Sequence, residues 1–307
     1  MLNLLIMLNT TLMYSAPLIL AAMGSLISER AGVVNLGIEG MMTLGALTGA
    51  TVAYYSGNPW LGLLCAGIAS GLLALLHAVA AVSLRCNQTV SGVAINFIGQ
   101  GGAIFLARLF FEGSTMTKPV PVKLPKTLFF MDTSGNPVLN SLNLDITVPL
   151  AFVLVGIMWF MFYKTKWGLR IRAVGEHPAA ADTMGVSVAA VRYLCVIVSG
   201  AFAGFGGAAM SLAVVSLFTP TVISGHGFIA IAAVIFGKWT PQGALASCLL
   251  FGFAQALVVL LGGGAVAIPT QILSMLPYVL TILVLILFVG KSVAPRASGV
   301  PYETSKR

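Results

Sequence analysis

The sequence WLGLLCAGIASGLLALLHAVAAVSL occupies residues 60–84 and contains no Asp, Glu, Lys or Arg. A membrane-spanning helix needs about 20 consecutive, mainly apolar residues, and this run is long enough to supply them. A strand of a membrane β-barrel would instead alternate apolar and polar residues over about 10 positions, a pattern that the run lacks. The stretch therefore predicts a transmembrane helix.

Seven further long apolar runs lie along the chain, so residues 60–84 are one member of a series. They fall at 11–28, 36–55, 89–111, 145–163, 193–217, 243–262 and 268–290. A shorter apolar run at 228–236 is too short for an ordinary span and predicts a half-helix or re-entrant segment. The sequence thus predicts an all-α integral membrane protein, with one transmembrane domain over residues 1–307. We expect a bundle of eight to ten segments that includes broken or short helices.

The composition excludes an ordinary soluble protein. Apolar residues make up 58% of the chain, charged residues only 8%, and the mean hydropathy is +1.00. A soluble domain carries about 25% charged residues, so most of this surface must face lipid. The 34 glycines, with pairs four residues apart such as Gly200 and Gly204, predict close helix packing. The four cysteines form no CxxC pair, so no zinc site or disulfide framework is expected, and we predict no bound metal or cofactor.

Basic residues indicate the topology. The connection 164–192 and the tail 291–307 are both rich in Lys and Arg, so both are expected to be cytoplasmic in a multi-pass protein of the bacterial cell membrane. An even number of crossings must then separate them, whereas three long apolar runs lie between. We therefore predict that the region 218–242 is discontinuous helix. The proline-rich connection 112–144 is expected to be an external loop.

The most distinctive polar stretch is GLRIRAVGEHPAAADTMGV at residues 168–186. Pro178 suits the first turn of a helix, the alanines after it favour helix, and Gly185 can end that helix in a left-handed cap. The predicted helix has only about two turns, which is marginal for an isolated helix in water. We therefore expect it to dock into another protein.

This stretch resembles the coupling-helix motif of ABC importer permeases of the branched-chain amino acid/ribose-type group. Residues 29–42 (ERAGVVNLGIEGMM) are similar to the hallmark of the nucleoside and simple-sugar branch. That branch pairs with basic-membrane-protein-type lipoprotein receptors. FGKWTPQGA at 236–244 and PRASGVPYE at 295–303 match the same branch.

The resemblance implies a type II-like importer permease fold and several partners. These are cytoplasmic ABC ATPase subunits, a second permease that forms a heterodimer with this one, and an external solute-binding lipoprotein. The implied cargo is a nucleoside, with a simple sugar or riboflavin as the alternative. The residues implied to contact the ATPase are Gly175, Glu176, His177, Pro178, Ala180, Ala181, Asp182 and Gly185.

The chain is not expected to be an enzyme, and no catalytic residue is predicted. Gly237 and Lys238 lack the upstream glycine of a phosphate-binding loop, because Ala232 stands at that position. ATP hydrolysis must therefore come from a separate subunit.

Five polar residues within or beside apolar runs are candidates for the translocation path: Asn35, Glu39, Asn96, Gln100 and His226. Each has a structural alternative. Glu39 could serve in an ion pair or hydrogen bond, and Asn35 could cap the following helix. Asn96 and Gln100 share one helical face and could make interhelical hydrogen bonds. The structural alternative for His226 is a polar loop residue.

Two other functional classes remain as alternatives. An ion-coupled secondary transporter usually needs intramembrane ionisable residues, and in this sequence only Glu39 meets that requirement. A membrane enzyme would need a cluster of catalytic side chains, which the sequence does not present.

Overall fold

The computed structural model describes residues 2–127, 143–262, 273, 275–288 and 293–303, and these residues are almost entirely helical. The helices, in chain order, are α1 Leu2–Arg30, α2 Ile38–Ser56, α3 Pro59–Ala78, α4 Gln88–Phe110, α5 Thr147–Lys164, α6 Lys166–Glu176, α7 Pro178–Thr183, α8 Val188–Ala209, α9 His226–Phe236, α10 Pro241–Gly262 and α11 Leu276–Phe288. Short π-helical turns, Val79–Ser83 and Met210–Val214, prolong α3 and α8.

Six helical segments of the described residues are long and apolar enough to cross a membrane. They are Leu4–Arg30, Pro59–Ser83, Gln88–Phe110, Thr147–Lys164, Val188–Val214 and Pro241–Gly262. The prediction of an all-helical, polytopic membrane protein is confirmed. The count of eight to ten segments stays a prediction, since the run 268–290 lies partly outside the described residues.

Small residues allow α8 to pack against α2 and α3 at very short range. A Cβ atom added to Gly45 of α2 would lie 2.5 Å from the Cα of Gly204, and one added to Gly200 would lie 2.7 Å from the carbonyl oxygen of Ser70 on α3. No side chain fits at such distances, so the glycines set the helix separation. This is the packing that small residues four positions apart favour in membranes.

The region between α8 and α10 is discontinuous helix, as predicted. The chain leaves the helix after Val214, turns at Gly225 with a φ of +92°, and forms α9 with only 11 residues. At 1.5 Å per residue, α9 covers about half of a bilayer's hydrocarbon core. It ends at Phe236, and α10 begins at Pro241.

The two basic connections lie at the same end of the bundle. Helices α6 and α7 pack there beside the tail, where the amide of Ala297 donates to the carbonyl of Gly175 over 2.9 Å. At the other end, the connection after α4 pairs with the chain beyond α8, through Val120 N–H and Ser216 C=O at 2.9 Å. This arrangement agrees with the even number of crossings inferred above. The assignment of these ends to the cytoplasm and the exterior stays a prediction.

Candidate functional site

Helix α7 forms where the sequence predicted a short helix. Pro178 occupies its first turn. Gly185 follows its end with a φ of +80°, and its amide donates to the carbonyl of Asp182 over 2.9 Å. The helix has six residues and stands between α6 and α8. Its limits are therefore set by the proline and glycine that the sequence indicated.

The eight residues implied to contact a partner do not share one environment. His177, Ala180 and Gly185 are exposed, whereas Gly175 and Ala181 are buried and the others are half-buried. Met184, which the sequence reasoning did not select, is 83% exposed. A partner can therefore contact α7 on its exposed faces but not at Ala181.

The inner side of this segment is fixed to the rest of the chain. Gly175 packs against the carbonyl of Arg30, where an added Cβ would clash with the backbone. The hydroxyl of Tyr302 donates to Oδ2 of Asp182 over 2.9 Å. Together with the bond between Ala297 and Gly175, this contact attaches the tail to the end of α6 and to α7. Asp182 is thus directed toward the tail.

The motifs at 29–42 and 236–244 interlock at the same end. The indole N–H of Trp239 donates to one carboxylate oxygen of Glu29, and the Ser25 hydroxyl donates to the other over 2.9 Å. Nε of Arg30 donates to the carbonyl oxygen of Trp239 over 2.7 Å. All four stretches that carried the family resemblance therefore meet at one end of the molecule.

Arg192 links this end to the core of the bundle. It lies in α8 with a 1% exposed side chain, and its Nη1 donates to the carbonyl of Val300 over 3.1 Å. The sequence had identified Arg192 only as one of several basic residues of the connection. To identify Arg192 as a residue of this site, one must know that the tail contacts α8, and no local sequence pattern indicates that contact.

The Gly185 cap provides a test of how firmly α7 is formed. No atom lies within 4 Å of an added Cβ, so Gly185→Ala would cost only the strain of the left-handed conformation, about 1–2 kcal/mol. We expect hydrogen exchange of residues 178–186 to become roughly fivefold faster or more, as measured by mass spectrometry. Gly185→Asn should have a smaller effect, because Asn tolerates this conformation better.

Gly113 offers a matched control for that experiment. It has a φ of +86° and equally open surroundings, but it lies after α4 at the other end of the bundle. Gly113→Ala should leave exchange in residues 178–186 unchanged. Equal exchange in Gly185→Ala and the parent protein would contradict the cap's role.

Asn35 and Asn96 satisfy the backbone where the chain is broken between α1 and α2. Asn35 Oδ1 accepts from the Gly37 amide over 3.1 Å, and its Nδ2 donates to the Ser199 hydroxyl over 3.1 Å. Asn96 accepts from the Gly40 amide and donates to the Leu36 carbonyl, both over 2.8 Å. Asn96 therefore makes an interhelical hydrogen bond, which was its structural alternative. Asn35 does not cap α2, because that helix has no side-chain cap hydrogen bond, and the capping alternative is wrong. Their assignment to a path stays a prediction.

His77 closes the same break from α3. One ring nitrogen lies 3.1 Å from the carbonyl of Val34 and the other 2.9 Å from the Ser91 hydroxyl. His77 is therefore a buried histidine with a hydrogen-bond partner for each ring nitrogen.

Glu39 binds the N-terminus of α9. Its two carboxylate oxygens accept from the amides of Gly225 and Gly227 over 2.6 and 2.7 Å. The first N–H groups of a helix have no partner within the helix and carry a partial positive charge, so a carboxylate is well suited there. Glu39 is 3% exposed. It thus joins α2 to the discontinuous segment.

His226 and Gln100 differ from the other candidates. His226 is the first residue of α9 and is buried, with Nδ1 hydrogen-bonded to the carbonyl of Ile223 and Nε2 without a partner among the residues that the structure describes. It is therefore a buried helix residue, and the alternative of a polar loop residue is wrong. Gln100 is half-buried, and its side chain makes no hydrogen bond within the described part of the chain. Among the described residues, no group of His, Cys, Asp and Glu could hold a metal ion.

Comparison with known proteins adds an independent observation. Residues 7–285 match the family described as the branched-chain amino acid transport system/permease component. The chain is 46% identical to the guanosine ABC transporter permease protein NupQ of Bacillus subtilis, and the alignment covers 98% of both chains. It is 41% identical to the nucleoside ABC transporter permease protein NupC of Lactococcus lactis, over 96% of both chains. It is also 43% identical to the putative glucose ABC transporter permease protein TsgC13 of Haloferax volcanii, over 82% of this chain and 76% of that protein.

Proposed function

We propose that the cargo of this chain is a nucleoside. The chain belongs to the branched-chain amino acid transport system/permease component family. It is thus a permease subunit of an ABC importer in the bacterial cell membrane. The observation that carries this proposal is the 46% identity, over nearly the full length, to a permease named for guanosine. The similarity to the nucleoside permease of Lactococcus lactis supports the same cargo class. Guanosine is therefore the first substrate to test.

The energy for transport would come from separate ATPase subunits that bind α7. The exposed surface of this helix is small and carries Ala179, Ala180 and Met184. The end of α6, just before α7, packs against α1 through Gly175, and α7 itself is bonded to the tail through Asp182. A displacement of α7 by an ATPase would therefore be passed directly to α1 and to the tail. In this mechanism, ATP-driven closure of the ATPases moves α7 and changes the side to which the path is open.

The path itself would lie between this chain and a second, different permease, and an external lipoprotein would deliver the cargo. The chain would bind no cofactor of its own. Among the candidate path residues, Gln100 is the one best able to contact a solute, because its side chain is half-buried and makes no hydrogen bond within the described part of the chain. Asn35, Glu39 and Asn96 would act mainly by holding the broken helices in place.

A simple sugar is the second candidate cargo, because the Haloferax relative is named as a putative glucose permease. Riboflavin remains a third candidate. An ion-coupled transporter is disfavoured by the geometry of two buried carboxylates. Glu39 is held by two backbone amides, and Glu29 by Trp239 and Ser25. Neither group is free in this structure to exchange an ion with the cargo path.

The proposal is tested by reconstituting the chain in vesicles with its partner permease, ATPase and lipoprotein receptor. We expect ATP-dependent accumulation of radiolabelled guanosine, with strong competition by unlabelled nucleosides and little by glucose or riboflavin. If glucose competes and unlabelled nucleosides do not, the cargo is a sugar and the nucleoside proposal is wrong. Collapse of uptake by a protonophore at constant ATP would instead support an ion-coupled transporter.

A further inference from the structure

Helix α7 forms a ridge between two clefts. On one side, a cavity of about 670 Å³ separates it from α6 and is lined mainly by Leu169, Ala173, Met184 and Val186, with Lys166 and Arg170 at its rim. On the other side, a cavity of about 680 Å³ separates α7 from the tail. The ridge is thus open to a partner on both flanks.

The second cleft, here called the tail cleft, has two walls from distant parts of the sequence. One wall is His177 to Ala180 of the α7 segment, and the other is Val300 to Glu303. The tail wall is held in place by Tyr302, which donates to Asp182, and by Val300, whose carbonyl accepts from buried Arg192. The side chain of Val300 is nevertheless 55% exposed. Two hydrogen bonds therefore fix this wall on its inner side, while the described residues leave Val300 exposed on its outer side.

We propose that the ATPase binds a composite surface, in which a segment of the ATPase enters the tail cleft and contacts Val300 as well as α7. This inference rests on the proposed function, because it takes α7 as the coupling helix. The C-terminal tail would then be part of the transmission itself: a force on either wall reaches α8 through Arg192.

The ATPase is the occupant that the geometry favours. The tail cleft is continuous with the exposed face of α7 and shares Ala180 with the cleft on the α6 side. A six-residue helix alone offers little area, whereas a stable protein interface buries about 800 Å² on each partner. Contact with both flanks of the ridge supplies more of that area. Lipid is a poor occupant, because the cleft is walled by Glu303 and His177 and charged groups are costly in hydrocarbon.

Site-directed photo-crosslinking in the assembled transporter tests this surface. Cys65 and Cys86, the less buried cysteines of the described chain, are replaced by serine. Single cysteines are then introduced as Ala180→Cys, Val300→Cys and Ser56→Cys and labelled with benzophenone maleimide. Ser56 is the exposed last residue of α2, at the opposite end of the bundle, and serves as the control. The readout is a crosslinked band that contains the ATPase.

We expect crosslinks from positions 180 and 300 and none from position 56. A crosslink from position 180 without one from position 300 would overturn the composite surface and leave the coupling role of α7 intact. Absence of both would contradict the docking of the ATPase at α7. A crosslink from position 300 alone would show that the tail docks without the ridge, and would also overturn the proposal.

A second variant tests whether the hydrogen bond of Tyr302 holds the tail in position. Tyr302→Phe keeps the ring and removes the hydroxyl that binds Asp182. In the Val300→Cys protein we expect Tyr302→Phe to lower the crosslinking yield roughly fivefold, the effect of losing about 1 kcal/mol of positioning. In the Ala180→Cys protein the yield should stay within twofold. An unchanged yield at position 300 would contradict the anchoring role of Tyr302.

Discussion

Ala180→Glu is expected to abolish ATP-dependent uptake while the permease still accumulates, folded, in the membrane. Ala180 is exposed and lines both clefts beside α7, so the new carboxylate would lie within the proposed ATPase interface. A charge that is buried without a partner costs several kcal/mol. Since each 1.4 kcal/mol is a factor of ten in affinity, docking would weaken by at least about a hundredfold.

The same substitution should not disturb the fold. Ala180 is the third residue of α7, and an acidic side chain in the first turn of a helix is favourable because of the partial positive charge there. Exposed substitutions of this kind change stability by about 0.5 kcal/mol or less. We therefore expect wild-type amounts of monodisperse protein by size-exclusion chromatography in detergent.

Ala294→Glu is the matched control. Ala294 is also exposed and lies in the tail, before the residues that line the tail cleft, and it lines neither cleft. Uptake by Ala294→Glu should stay within about twofold of the parent rate. If Ala180→Glu also transports at the parent rate, α7 is not the docking site.

Local signals in the sequence were sufficient for the shape of α7. Pro178 and Gly185 act on their own backbone, through a fixed φ and a tolerated left-handed conformation, so their effect is the same in the isolated sequence and in the fold. The break after α8 was predicted for a different reason. Two basic segments on the same side of a membrane must be separated by an even number of crossings. The three long apolar runs between them give an odd number, and α9 accounts for the additional crossing.

The contacts that assemble the site could not be predicted in the same way. Glu29 and Trp239 are 210 residues apart, and Arg192 and Val300 are 108 residues apart. Neither pair has a spacing or periodicity that indicates contact, because the pairing depends on which helices become neighbours. The resemblance identified the four stretches as a set, but their convergence at one end is a property of the packed bundle.

The polar residues of the apolar runs show why burial alone does not identify a path. Where a helix is interrupted within a membrane, its free amides and carbonyls need partners. Asn35 and Asn96 provide them at the break before α2. Such residues have the sequence signature of solute-binding groups, since both uses require a polar side chain at membrane depth.

Glu39→Ala is therefore expected to destabilise the folded permease, and to lower uptake only as far as the amount of folded protein falls. The substitution removes the acceptor for the amides of Gly225 and Gly227. A buried donor without a partner costs about 1–3 kcal/mol. The Gly227 amide would become such a donor, and the part-buried Gly225 amide would also lose its acceptor. The loss also removes a negative charge from the N-terminus of α9, where it is favourable.

Two further variants distinguish this structural role from a role in the path. Glu39→Gln keeps one acceptor but turns an amide donor toward the second N–H, so its thermal stability should fall between those of Glu39→Ala and the parent. Gln100→Ala removes a half-buried side chain with no described hydrogen bond and should leave stability nearly unchanged. Thermal unfolding in detergent and the KM for guanosine uptake are measured for all three. A raised KM in Glu39→Gln at parental stability would place the carboxylate in contact with the cargo, because a group that only holds α9 in position changes the amount of competent permease and not its affinity.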